Sequence, residues 1–273
     1  MILPSSVPIL KQNPLWSTDP KVGFRKWMST SQQVVLLSQS IKDALDQRCS
    51  ALAEFVDFEA AFDKVWRLKC IQKLQKLGVC SNMLFWIRSF LSQRFCATRF
   101  RDSVSNFKQS ETGLPQGTVI SPILFNIFID DLPSILISDG MTKVALFADD
   151  LVIWCYASKG DQFKLNTVLN KSLERLESWS LENNMTVNLG KTNSQYFTLN
   201  RQPFTSELVY RGPPLQHNDA STYLGCIFDN KMKWTKHAEH VISKARKRLP
   251  ILKRLAGAKW GCGRATLNTT YKT

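Results

Sequence analysis

Residues 147–156 read FADDLVIWCY, and two adjacent aspartates, Asp149 and Asp150, stand inside a run that is otherwise apolar. Leu146 and Phe147 precede them and Leu151, Val152, Ile153 and Trp154 follow, so both flanks carry the β-branched and aromatic residues that favour strands. The pattern predicts a hairpin whose turn is the Asp149-Asp150 pair. Neighbouring carboxylates repel one another, and a partly apolar surround raises the cost of ionising both unless a cation neutralises them. Taken alone, such a pair reads first as a solvated acidic turn, so the decision rests on the rest of the chain.

The chain has 273 residues and is 44% hydrophobic, enough for a sizeable core in one large domain or two smaller ones. Its apolar stretches are broken by charge before they could span a bilayer, and the opening MILPSSVPILKQNPLW lacks a basic n-region and a small-residue cleavage site. These features predict an intracellular protein with no membrane partner. Seven cysteines (Cys49, Cys70, Cys80, Cys96, Cys155, Cys226, Cys262) show no CxxC pair, which argues against a disulfide framework or a thiolate zinc site and for buried thiols. The net charge of +14 is uneven: Lys231 to Thr273 holds twelve lysines or arginines and one acid, Glu239. A polyanion, nucleic acid before membrane, is the partner such a tail fits, and a solvated basic helix is the plainer alternative.

Periodicity organises the remainder. Residues 31–45 (SQQVVLLSQSIKDAL) read as an amphipathic helix, and Phe55 to Phe58 as a short strand. Phe62, Trp66, Cys70, Leu74 and Leu77 then fall at helical steps until Gly78. A second helix begins near Ser81, and its aromatic residues Phe85, Trp86 and Phe90, with Phe95 beyond, have the spacing of core packing rather than of base stacking. FCATRFRDSVSNFKQ alternates as a hairpin, LPQGT is a loop, and Pro122 opens an apolar, buried helix through Leu132. After the two strands around the aspartates come a helix from about Leu165 to Trp179 and a strand near Gln195 to Leu199. Without the inserts, the order is strand, helix, strand, strand, helix, strand, the split βαβ arrangement of an α+β fold.

That topology brings Asp57, at the end of the first strand, to the same sheet edge as Asp149 and Asp150. Three hard oxygen donors suit Mg²⁺, and two such ions ~3.5–4 Å apart could clamp the attacking and leaving oxygens of a phosphoryl transfer. Glu54 and Glu59 are expected on the other face and Asp63 on the following helix, as surface charge or as complements to a helix dipole. His237 and His240 lack an acid or cysteine partner and read as surface residues.

EFVDFEAAFDKVW, LPQGTVISPILFNIFIDDL, LFADDLVIW, VNLGKT and YLGCIFDNKMKW, in this order and spacing, resemble the reverse transcriptases of non-LTR retrotransposons, and among them the jockey-like branch. VGFRKWMST is similar to the segment just upstream, although Trp27 and Met28 stand where a small and a basic residue are more usual. The resemblance runs from about Val22 to Lys259. It implies a right-hand polymerase whose palm is the split βαβ, ferredoxin-like antiparallel sheet, with an RNA template, a DNA primer and dNTPs as partners. It implies Asp57, Asp149 and Asp150 as ligands of two Mg²⁺ ions, Mn²⁺ being an alternative, with the Phe58 carbonyl assisting. It places Phe62 under the deoxyribose of the incoming nucleotide, Gln116 against nucleotide or template, and Lys191 as the acid for the pyrophosphate leaving group. By its position at a turn, Lys191 reads just as well as a solvated lysine. YLGCIF resembles the primer-grip hairpin, and Lys244, Arg246, Lys247, Arg248, Lys253 and Arg254 the start of a thumb lying along duplex phosphates.

The chain departs from the full pattern upstream, where ILPSSVPILKQ is a poor match to the triphosphate-gripping fingers segment. The expected division is therefore a residual fingers segment at 1–50, a palm at 51–230 with inserted helices and hairpin, and a basic, truncated thumb start at 231–273. Two functions follow: RNA-directed DNA polymerase, or a nucleic-acid-binding remnant that folds on the same sheet without holding a triphosphate.

Overall fold

The structure, a computed structural model, describes residues 23–24, 28–137, 140–200, 206–256, 261, 263 and 268–269. Its centre is a mixed sheet built on β1 (Ser50–Val56), β6 (Lys143–Phe147), β7 (Asp150–Ala157), β8 (Asn193–Phe197) and β9 (Gln216–His217), in the order β6-β7-β1-β8-β9. β1 runs antiparallel to both β7 and β8, and β6 antiparallel to β7. β1 and β6 are thus parallel with β7 between them, which is the split βαβ topology read from the order of elements.

All seven residues of β1 are buried, because both faces of the sheet are covered. On one face the small side chains of Ala51 and Ala53 admit α1 (Thr30–Asp46), whose Leu37, Ile41 and Leu45 join Phe55, Val152 and Trp154 in one cluster. The hairpin of β10 (Ala220–Tyr223) and β11 (Cys226–Asp229) completes that cluster through Tyr223 and Phe228, whose rings lie 6.0 and 6.3 Å from Phe55. On the other face Leu52, Val56 and Ile153 pack with α3 (Arg67–Lys76), α5 (Ser121–Phe128) and α7 (Phe163–Glu182) in the larger cluster.

Several boundaries differ from the sequence reading, each for a local reason. β1 starts at Ser50, five residues earlier than expected, since a strand buried on both faces shows no alternation to mark it. The helix expected from Ala60 to Leu77 is two: α2 (Ala61–Lys64) and α3. The Phe62 and Val65 carbonyls, which would continue the ladder, accept instead from Leu114 N at 2.8 Å and Gly113 N at 2.9 Å. α5 stops at Phe128 rather than reaching Leu132, and a new helix, α6 (Leu132–Leu136), begins. Pro133 cannot donate, and its ring would strike the carbonyl of Ile129 in a continuous helix. The expected hairpin is a nested ribbon that follows α4 (Ser81–Leu91): β2 (Arg94–Cys96) pairs with β5 (Lys108–Ser110), and β3 (Arg99–Phe100) with β4 (Ser103–Val104).

Three readings of single residues are corrected. Glu54 is not surface charge: it lies at 0% exposure, and neither carboxylate oxygen has a hydrogen-bond partner. Phe85, Trp86 and Phe95 are exposed, because the buried side of α4 is formed by Ile87 and Leu91; only Phe90 packs on the core. Cys80 and Cys96 are exposed thiols, Cys70 and Cys155 are buried, and Cys262 lies outside the described residues.

Candidate active site

The chain leaves β1 at Val56, opposite Leu151, just where Asp150 begins β7 opposite Phe147. Continuing that register by one residue sets Asp57 across from Asp150. The hairpin turn is therefore Ala148-Asp149, not Asp149-Asp150: Asp150 belongs to the strand, and Ala148 takes the left-handed φ of 55°. A strand end and the adjoining turn thus bring all three carboxylates to one edge.

The segment after β1 is held from its other side by the loop that includes Gly190, Lys191 and Thr192. Asn188 N donates to Asp57 O at 2.8 Å, Glu59 N to Thr186 O at 2.9 Å, and Asp57 N to the Thr192 hydroxyl at 3.2 Å. These bonds bracket the Phe58–Val187 bridge, and in antiparallel pairing that leaves the Phe58 carbonyl directed away from Val187, toward the β7 side. The same loop sets Lys191 Nζ 3.7 Å from Asp57 Oδ2. The Thr192 hydroxyl is a positioning contact that the sequence did not single out; its only signal was its place directly after Lys191.

Electrostatics marks the cluster. Burial raises the pKa of Asp149, with the Asp57 charge adding to it, and burial followed by the charges of Asp149 and Asp57 pushes Asp150 up to about 6. Mutual repulsion of this kind is relieved by a cation. Among the described residues no three His, Cys, Asp or Glu side chains close into a ready-made metal cage. The aspartates are coupled through charge on a fixed backbone, and an all-carboxylate donor set of this kind fits a hard divalent ion whose remaining ligands come from water or substrate phosphate. Tyr223 of the β10–β11 hairpin belongs to the same neighbourhood: burial, then the Asp150 charge, drives its phenol upward.

Phe62 lies on α2, five residues after Asp57 in sequence, its ring stacked on Phe125 at 4.3 Å and edge-on to Phe24 at 6.0 Å. The loop 112–116 lies directly on α2. A Cβ at Gly113 would come within 2.5 Å of the Asp63 carbonyl oxygen, so only glycine, at φ 79°, allows this approach. Beyond it, Gln116 Nε2 donates to Asp63 Oδ1 at 2.9 Å, which makes Asp63 the holder of Gln116 rather than a free surface acid. Gly23 closes the site from upstream: Asn126 Nδ2 donates to its carbonyl at 2.7 Å, and a Cβ there would run into the backbone nitrogen of Ala148.

The basic residues Lys244, Arg246, Lys247, Arg248, Lys253 and Arg254 are exposed on α8 (Thr235–Leu255), away from the carboxylates in sequence and joined to the fold chiefly through its first turns. There Trp234 lies 5.2 Å from Phe228, and Ile227 N donates to His237 Nδ1 at 3.4 Å, so His237 is anchored while His240 is exposed. No helix among the described residues is long and apolar enough to cross a membrane.

Comparison with known proteins places this geometry in context. The probable RNA-directed DNA polymerases of the transposon X-element and of transposon BS, both from Drosophila melanogaster, are each 29% identical to the chain, over 82% and 88% of its length. The RNA-directed DNA polymerase from mobile element jockey of Drosophila funebris is 28% identical over 87%. The chain covers 24%, 27% and 26% of these relatives, about a quarter of their length. Among solved structures, a truncated apo telomerase from Candida tropicalis superposes with a TM-score of 0.56 at 15% identity, covering 82% of this chain and 43% of that one. At that identity the likeness speaks for the fold alone. The reverse transcriptase (RNA-dependent DNA polymerase) family matches residues 8–228, starting upstream of Val22, where the sequence resemblance begins. A match of that extent, on a sheet with the expected topology, establishes that the chain belongs to the reverse transcriptase family.

Proposed function

We propose that this chain carries out RNA-directed DNA synthesis, adding a deoxynucleotide to a primer 3′-hydroxyl on an RNA template. The observation that carries this reading is the gathering of Asp57, Asp149 and Asp150 at one sheet edge, where the two hairpin aspartates are raised in pKa by burial and by neighbouring carboxylate charge.

Asp57, Asp149 and Asp150, with the Phe58 carbonyl, are the groups that would hold two Mg²⁺ ions, and Mn²⁺ suits the same donors. Bound there, such ions supply the positive charge that activates the primer hydroxyl and offsets charge on the triphosphate. The protein's own groups do the rest. Phe62, fixed between Phe125 and Phe24, presents a rigid ring that excludes a 2′-hydroxyl. Gln116, tied to Asp63, offers its amide to nucleotide or template. Lys191, 70% exposed at its side chain and 3.7 Å from Asp57, carries a proton to the departing pyrophosphate. The exposed cations of α8 lie along backbone phosphates and fix register without reading bases.

The test is incorporation of labelled dNTP on an RNA template with a DNA primer, in Mg²⁺, in Mn²⁺ and in chelator. The reading expects metal-dependent product that follows the template and is lost in Asp149→Ala. Product that ignores the template, or that Asp149→Ala forms equally well, would overturn it.

A further inference from the structure

The ribbon 94–110 and the preceding α4 carry a surface that the catalytic reading leaves unused. Of the six exposed phenylalanines among the described residues, four are here: Phe85, Phe95, Phe100 and Phe107, at 75, 59, 71 and 72% exposure, with Trp86 beside them. Scattered apolar residues need no explanation, but five large aromatics on one thirty-residue stretch do. Basic residues alternate with them: Arg88, Arg94, Arg99, Arg101 and Lys108 against one acid, Asp102, in residues 81–110.

The cations and rings are already arranged in stacks. Trp86 lies on Phe90 with centroids 5.7 Å apart and planes 15° apart, and the Arg94 guanidinium covers Phe90 at 4.5 Å. Nearer the tip, Arg101 lies 5.4 Å from the Phe100 ring centre. Between α3, α4 and the ribbon's base is an open groove of about 450 Å³ lined by Arg67, Arg88, Gln93 and Gln109. Phe95 is the cross-strand neighbour of Gln109 and so shares its face. Burial and then the Arg94 charge lower the pKa of Arg67, whose guanidinium is already held by protein oxygens, so Arg88 is the groove's other cation.

The ribbon's last strand is tied to the start of α3 and runs on into the loop that carries Gln116. Arg67 donates to Ser110 O at 2.6 Å, Thr112 O at 2.7 Å and Gly113 O at 2.7 Å, holding the ribbon's last strand and the loop to Gln116 on the start of α3. A two-stranded ribbon exposed on both faces has little core of its own. Phe95, Phe100 and Phe107 are therefore left exposed to solvent.

We propose that this surface binds unpaired nucleic acid, namely the single-stranded template ahead of the primer end. Exposed ring faces interleaved with guanidinium groups suit stacked bases and a phosphate backbone, and a duplex has no free base faces to offer. The template is chosen because RNA-directed synthesis requires an unpaired strand next to Gln116, and the ribbon leads straight into that loop. In this respect the inference rests on the proposed function.

Binding decides it without turnover, so the test works equally on a chain that is inactive as a polymerase. Anisotropy of labelled unpaired RNA, of a blunt duplex and of a primer-template with an unpaired template overhang would compare the natural chain with Phe95→Ala/Phe100→Ala/Phe107→Ala and with Arg99→Ala/Arg101→Ala. All five positions are exposed, and circular dichroism checks that the fold is kept. The aromatic variant should lose about tenfold or more on unpaired RNA and on the overhang, where each stacked base contributes, and keep its duplex affinity. The arginine variant should flatten the slope of log affinity against log salt by about 1.4 on unpaired RNA. Unchanged affinity for unpaired RNA in the aromatic variant overturns the proposal. So does a variant that binds RNA normally but loses self-association in sedimentation, which would make the surface a protein contact.

Discussion

Replacing Glu54 by glutamine tests the sheet's least expected feature. The carboxyl group lies inside β1 between Ile153 and Ser194 on the neighbouring strands, fully buried and without a hydrogen-bond partner. Burial raises its pKa well above the ordinary 4.5, so the fold holds the neutral acid. The unfolded chain releases that proton near the ordinary value. Above it, the native state binds more protons than the unfolded state, and stability falls as pH rises, by about 1.4 kcal/mol per pH unit while Glu54 stays protonated. Glutamine reproduces the shape of the neutral acid and does not titrate. From about pH 5 to about pH 6 the natural chain should therefore lose about 1.4 kcal/mol more than Glu54→Gln, a difference of about 2–3 °C in Tm at this chain length. Asp150 titrates nearby but is present in both proteins, so it cancels in the difference. Thermal and urea unfolding across this pH range provide the assay. Parallel pH curves for the two proteins would refute the reasoning, as would a variant whose deficit grows with pH.

Three further outcomes follow from the same geometry. Phe62→Ala or Phe62→Val should admit ribonucleotides more readily, measured as the ratio of kcat/KM for dNTP and rNTP; an unchanged ratio would leave Phe62 as packing on Phe125. Arg246→Ala/Lys247→Ala should flatten the salt slope for a primer-template duplex by about 1.5 and weaken all sequences alike, whereas charges that only solubilise α8 would leave the slope unchanged. Gly23→Ala should cost about 1–3 kcal/mol in stability and lower nucleotide incorporation, because the new methyl group must displace the Ala148-Asp149 turn; a stable, fully active variant would show that this contact does not hold the turn.

The carboxylate edge was legible because it depends on strand order, and the apolar flanks of Asp149 and Asp150 mark two strands, although the turn falls one residue earlier than they suggest, on Ala148-Asp149. Identity of the neighbours was harder to read. SALAEFV has no alternation, so the start of β1 and the burial of Glu54 were hidden by coverage of both faces. The break at Val65 depends on carbonyls captured by Gly113 and Leu114, some fifty residues away in sequence, which no local pattern reports. Lys73 is a comparable case. No pattern within α3 announces that its ammonium donates to Phe128 O at 2.6 Å and Asp131 Oδ1 at 2.8 Å, or that it lies 5.1 Å from the Trp179 ring, since these partners are far along the chain. Helical spacing identified Phe85 and Trp86 as a stripe, but which side of a helix is covered depends on its neighbours, and α4 turns Ile87 and Leu91 inward instead. The role of Thr192 rests on a single hydroxyl contact to the Asp57 amide.

The central claim is that three particular carboxylates, and not acidity at that edge in general, perform the chemistry. Single-turnover incorporation of one nucleotide on a primed RNA template tests it most directly, using Asp57→Ala, Asp149→Ala and Asp150→Ala beside Glu59→Gln, whose side chain is paired with Lys64 at 2.6 Å. The account predicts a loss of at least about a hundredfold in each aspartate variant and a rate near that of the natural chain for Glu59→Gln. An Asp57→Ala variant that keeps the natural rate, or a Glu59→Gln variant that falls as far as the others, would contradict it.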